Sequence, residues 1–66
     1  MVVYCEAIVE NPTQQENLIE CIEILGGKPK IVKDLISVEY EGIEAECDIF
    51  MSLFEHYARH NITTFA

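Results

Sequence analysis

Apolar and polar side chains alternate from Val2 to Glu10, with Val3, Cys5, Ala7 and Val9 on one side and Val2, Tyr4, Glu6, Ile8 and Glu10 on the other. A period of two marks a strand that buries one face. The pattern then breaks at Asn11-Pro12-Thr13-Gln14. Asn11 can accept the free amides of a helix start, Pro12 fits the first helical position and Gln14 holds the capping-box position. From Gln14 to Leu25 the apolar residues Leu18, Cys21, Ile22 and Leu25 recur on one helical face, opposite Glu16, Asn17, Glu20 and Glu23. Gly26-Gly27 ends that helix, because glycine enters the left-handed region without steric cost.

Two further strands are predicted over Lys28 to Val32 and Leu35 to Glu41, joined by a tight turn at Lys33-Asp34. With a two-residue loop, Ile31 pairs with Ile36 on the buried face and Lys28 faces Glu39 on the other. Gly42 breaks the strand. Ile43, Cys47, Phe50, Met51, Phe54, Tyr57 and Ala58 then form a second helical stripe, which predicts a helix from Ile43 to His60 with Asn61 at its close. Ile62 to Phe65 is β-branched and aromatic enough for a short last strand. The order strand, helix, strand, strand, helix, strand resembles the ferredoxin-like βαββαβ arrangement of the α+β class. It implies an antiparallel sheet in the order 4-1-3-2 with two helices on one face. That order centres the two most apolar strands and leaves Lys28, Pro29 and Lys30 at an edge, where charge and proline discourage aggregation.

The 66 residues are expected to form one α+β domain, without an internal repeat or linker. A chain of this size buries only about 60% of its unfolded surface, so a supplement to the core, most simply self-association, is expected. Cys5, Cys21 and Cys47 are odd in number, widely spaced and set among apolar neighbours, which points to buried free thiols in a cytoplasmic protein. No apolar run is long enough to span a bilayer, so no membrane role is expected. Twelve acidic residues against four basic ones give a net charge of −8, which argues against direct nucleic-acid binding, since Lys28, Lys30 and Lys33 are the one basic cluster.

Catalytic and cofactor chemistry find little footing. A helix through both His56 and His60 would put the two imidazoles on one face, but a third ligand is not in view, because Cys47 lies about half a turn around the axis from His56. Glu55 precedes the first histidine, which is the wrong order for a zinc-protease motif. No metal and no cofactor are expected. Cys5 and Cys21 could approach each other across strand and helix, yet an acidic, apolar setting is wrong for reactive thiols. Glu6 and Glu39 share the uncovered sheet face and could pair as carboxylates, without any sign of a pocket around them. The chain is therefore not expected to be an enzyme.

Two features remain. Glu39, Glu41, Glu44, Glu46 and Asp48 concentrate negative charge along the third strand and the start of the second helix. Helix starts favour acids, but Glu6 and Glu10 extend the charge over the uncovered face, where a basic partner would meet a steering field. Val2, Tyr4 and Ile8 on that same face, with Val32 and Leu35 beside them, form an apolar patch suited to a homodimer, and Ile49 and Leu53 lie outside the stripe near the histidines. In size and charge the chain resembles phage-encoded inhibitors of nucleic-acid enzymes. The first expectation is accordingly a small acidic protein-binding module, an inhibitor that acts as a nucleic-acid mimic by offering carboxylates to a basic groove. The alternative is a homodimeric structural or small-ligand-binding domain without catalysis.

Overall fold

In a computed structural model, which describes residues 1–57 and 60–65, the elements are β1 (Val2–Ile8), α1 (Pro12–Ile24), β2 (Lys30–Val32), β3 (Leu35–Glu41), α2 (Glu44–Glu55) and β4 (His60–Phe65). The strands form one antiparallel sheet in the order β2-β3-β1-β4, which is 4-1-3-2 read from the other edge. The architecture is α+β and ferredoxin-like.

The start of α1 follows from its sequence. Asn11 is extended, and its side-chain oxygen accepts from the amides of Thr13 at 2.9 Å and Gln14 at 3.1 Å. Pro12 occupies the position whose missing N–H would have found no partner. Gln15 rather than Gln14 reaches back, its amide donating to Val9 O and to Asp34 Oδ1, so the helix start, the end of β1 and the β2–β3 turn are tied together. At the other end Gly26 N donates to Glu23 O and Gly27 N to Ile22 O, the paired bonds of a Schellman motif, with Gly26 at φ +88°.

β2 is shorter than the run Lys28 to Val32 predicts, because Pro29 has no N–H to give to a ladder. The register is the expected one: Ile31 faces Ile36 and Val32 faces Leu35 across the Lys33-Asp34 turn. Lys33 carries a positive φ of 54°, a conformation that glycine takes more cheaply. Ile31 points to the packed side but stays 49% exposed, since β2 projects at the sheet edge.

The second helix is the principal correction. It ends at Glu55, capped at His56, and the chain turns through Tyr57 by bonds from His56 N to Leu53 O and Tyr57 N to Phe54 O. His60 and Asn61 belong to β4, so Asn61 does not close a helix. Ala58 lies outside the described residues. Ile43 is not part of the core stripe: it stands before the first turn with extended backbone and is 66% exposed.

The core gathers Val3, Cys5, Ala7, Ile36 and Val38 from one face of the sheet with Leu18 and Ile22 of α1 and Cys47, Phe50 and Phe54 of α2. Met51, Leu53 and Tyr57 pack against it half-buried. With Val9, eleven hydrophobic residues are buried among the described residues, the larger side chains each worth about 1.5–3 kcal/mol on transfer. Ring contact between Tyr40 and Phe50, with centroids 4.6 Å apart, joins β3 to α2.

Candidate functional site

The alternate side chains of the sheet, turned away from that core, make a partly exposed face. β1 presents Val2, Tyr4, Glu6 and Ile8; β3 presents Leu35, Ser37, Glu39 and Glu41 opposite them; and Lys30, Asn61 and Thr63 flank the two central strands. Tyr4 is directly across from Glu39, and Glu6 is across from Ser37 on one side and Asn61 on the other. Glu6 and Glu39 are therefore diagonal neighbours rather than a facing pair.

This register builds a polar layer in the middle of the face. The Tyr4 hydroxyl donates to Glu6 Oε2 at 2.9 Å, and Asn61 Nδ2 donates to Glu6 Oε1 at 3.2 Å, so each oxygen of Glu6 has a protein donor. Donation to Glu6, reinforced by burial, holds the Tyr4 hydroxyl above the ordinary tyrosine range. Beside it a recess of about 320 Å³ is lined by Tyr4, Lys28, Lys30, Ser37, Val38 and Glu39. Lys28 and Glu39 both line this recess, but Lys28 precedes β2, whose pairing with β3 begins at Lys30 opposite Ser37, so the two are not a paired position of the ladder.

The acidic residues divide by role. Glu39 and Glu41 are exposed on the sheet face, and Glu44 and Asp48 are exposed one helical turn apart on α2. Glu46 is different. Its carboxylate accepts from Ile43 N at 3.1 Å, the return half of a capping box whose other half is missing because isoleucine has no acceptor. Glu46 also lies where a side chain on Gly42 would fall, 2.5 Å from that position, beside the Tyr40 ring. Burial, and the nearby Glu46 charge after it, raise the Tyr40 hydroxyl. Glu46 is therefore committed to the β3–α2 connection. Ile43, which periodicity assigns to the core, instead protrudes between exposed Glu41 and Glu44. The signal that could have found it is Gly42 followed by Ile-Glu-Ala-Glu, a helix start with an apolar cap position.

The apolar candidates Val2 and Tyr4 are half-buried and Ile8 is 37% exposed; Ile49 is exposed on α2 and Leu53 packs on the core. His56 and His60 sit on different elements, so the shared helical face required for a metal pair does not exist, and His60 Nδ1 lies 3.0 Å from Tyr57 O. All three cysteines are free thiols. Burial, with Cys47 adding to it, pushes the Cys5 thiol up to about 11. Cys47 Sγ lies 3.7 Å from Met1 O, while Cys21 is near Tyr57, whose hydroxyl is raised chiefly by burial. Among the described residues no helix is long and apolar enough to cross a membrane, and no group of three or more His, Cys, Asp or Glu side chains is placed to hold a metal.

No protein-family model, no curated protein and no solved structure gives a significant match to this chain.

Proposed function

We propose that the chain is a small protein-binding module whose carboxylate-rich surface docks on a basic groove, and that the groove belongs to a nucleic-acid-handling protein whose phosphate site the carboxylates occupy, making the chain an inhibitor. The observation that carries this reading is the projecting Ile43, flanked by exposed Glu41 and Glu44, with Asp48 one turn on. An exposed apolar side chain next to acidic residues in the sequence has the composition of an interface with an apolar centre and a charged rim. The acidic residues supply on-rate and selectivity for a positive surface. Glu39 continues the charge along β3, and Glu46 supports the site by holding the turn from which Ile43 protrudes.

Pairing through Val2, Tyr4 and Ile8 is the weaker reading, because Glu6 and Glu39 occupy the middle of that face and two copies would bring their carboxylates together. Catalysis is no part of the proposal, which rests on surface charge and an exposed apolar side chain. Free thiols fit a reducing compartment such as the cytoplasm.

Capture from a lysate of the source cells, with the parent chain and with a variant carrying Glu39→Lys, Glu41→Lys, Glu44→Lys and Asp48→Lys, tests the proposal. A basic nucleic-acid-handling protein retained by the parent alone supports it. Equal retention by both chains refutes it.

A further inference from the structure

The sheet has two unlike edges. β2 is three residues long, preceded by Pro29 and surrounded by Lys28, Lys30 and Lys33, which are the standard obstacles to edge pairing. β4 is twice as long, and after His60 at its start, which Arg59 precedes in the sequence, it carries Asn61, Ile62, Thr63 and Thr64 without a charge or a proline among them. Its position at the end of the strand order leaves alternate N–H and C=O groups of its outer side without a neighbouring strand among the described residues. An edge of this kind is a template for an added strand.

The helix above that edge says which strand. Phe50 of α2 contacts Tyr40 of β3, and Met51 accepts a hydrogen bond from the Thr64 hydroxyl of β4 at 3.5 Å, so the side of the helix that Met51 occupies is the β4 side. Glu44 and Asp48 precede Met51 by seven and three positions and Glu55 follows it by four. At about 100° per residue these three carboxylates lie at or just beyond the angle of Met51, on the flank over and outside β4. All three are exposed. A second copy paired β4 to β4 would bring two such flanks together, which like-charge repulsion opposes. A strand bearing lysine or arginine would place its alternate side chains beneath the carboxylates.

We infer that β4 receives an extended basic segment of the partner by strand addition, with Glu44, Asp48 and Glu55 pairing with its cationic side chains. The inference rests on the proposed basic partner and assigns the contact a place and a mode: main-chain bonds along β4 supply affinity, and the α2 flank supplies selectivity.

The probe is an eight-residue peptide alternating lysine with valine, compared with its glutamate counterpart, and the readout is amide hydrogen exchange of the intact chain. The lysine peptide is expected to slow exchange of the outward amides of residues 60–65 about tenfold or more, leaving β2 unchanged, while the glutamate peptide has no effect. Glu44→Lys with Asp48→Lys is expected to weaken the peptide roughly tenfold. Glu55→Lys, in the last turn where a cation suits the helix dipole, weakens it without risk to folding. Peptide binding with β4 exchanging at its free rate overturns strand addition and leaves the acidic-surface reading standing. Protection of β4 that grows with the concentration of the chain alone makes a second copy the occupant and also overturns it. No binding at high micromolar peptide overturns it as well, and the capture comparison then decides the wider proposal independently.

Discussion

Gly26 and Gly27 stand side by side at the end of α1, and alanine at each should fail for a different reason. A Cβ on Gly27 would lie 2.9 Å from Ile22 Cγ2 and 3.1 Å from two carbons of the Phe50 ring. Carbon atoms meet comfortably at about 3.5–4.0 Å, so the intrusion is roughly half an ångström against two side chains that are fully buried. Overpacking of this kind costs about 1–3 kcal/mol, offset by about 0.4–1 kcal/mol from the stiffer unfolded chain, for a net loss of about 1–2 kcal/mol. At Gly26 a Cβ meets nothing within 4 Å, but φ is +88°, so alanine loses about 1–2 kcal/mol through backbone conformation alone. A domain of this length has roughly 3–10 kcal/mol of stability in all, so Gly27→Ala should lower Tm by roughly 5–15 °C. Urea unfolding followed by circular dichroism measures both variants, and a Phe50→Leu background separates the causes. The Gly27→Ala penalty should shrink there while the Gly26→Ala penalty stays. Gly27→Ala as stable as the parent, or an unchanged penalty beside Leu at position 50, would refute the packing described here.

Three other perturbations follow from the same geometry. Asn11→Ala leaves the amides of Thr13 and Gln14 without their acceptor and should cost about 1 kcal/mol in chemical unfolding. Lys33→Gly removes the penalty of a side chain at φ 54° and should stabilise the β2–β3 turn by about 0.5–1 kcal/mol, visible as a higher urea midpoint. The raised Cys5 thiol binds its proton more tightly folded than unfolded, so its contribution is complete below the unfolded value near 9 and is lost as pH rises toward about 11. In that window parent stability should fall by about 1.4 kcal/mol per pH unit more steeply than that of Cys5→Ala, as read from unfolding curves at stepped pH.

What the sequence made legible is what local rules decide. Alternation in β1, the Asn11-Pro12 start and the double-glycine stop each act within a few residues and mark the elements, while the strand order came from the likeness of the element order to the ferredoxin-like arrangement. The end of α2 was not legible because Tyr57 continues the helical spacing of Phe54 and no glycine or proline interrupts it; the turn at His56 satisfies the same apolar position by another route. That misplaced end also hid Asn61, whose contact with Glu6 spans nearly the whole chain and has no local signal. Ile43 fits the stripe because periodicity does not distinguish a first-turn residue from one just outside it.

The measurement closest to the central claim is the elution of captured protein from the immobilised chain across a salt gradient. The account predicts a basic protein that is retained at low salt, is released as salt rises through about 0.1–0.5 M, where surface charges become screened, and is never retained by the four-lysine variant. A partner that stays bound until denaturant is applied, or that elutes alike from both columns, would contradict it.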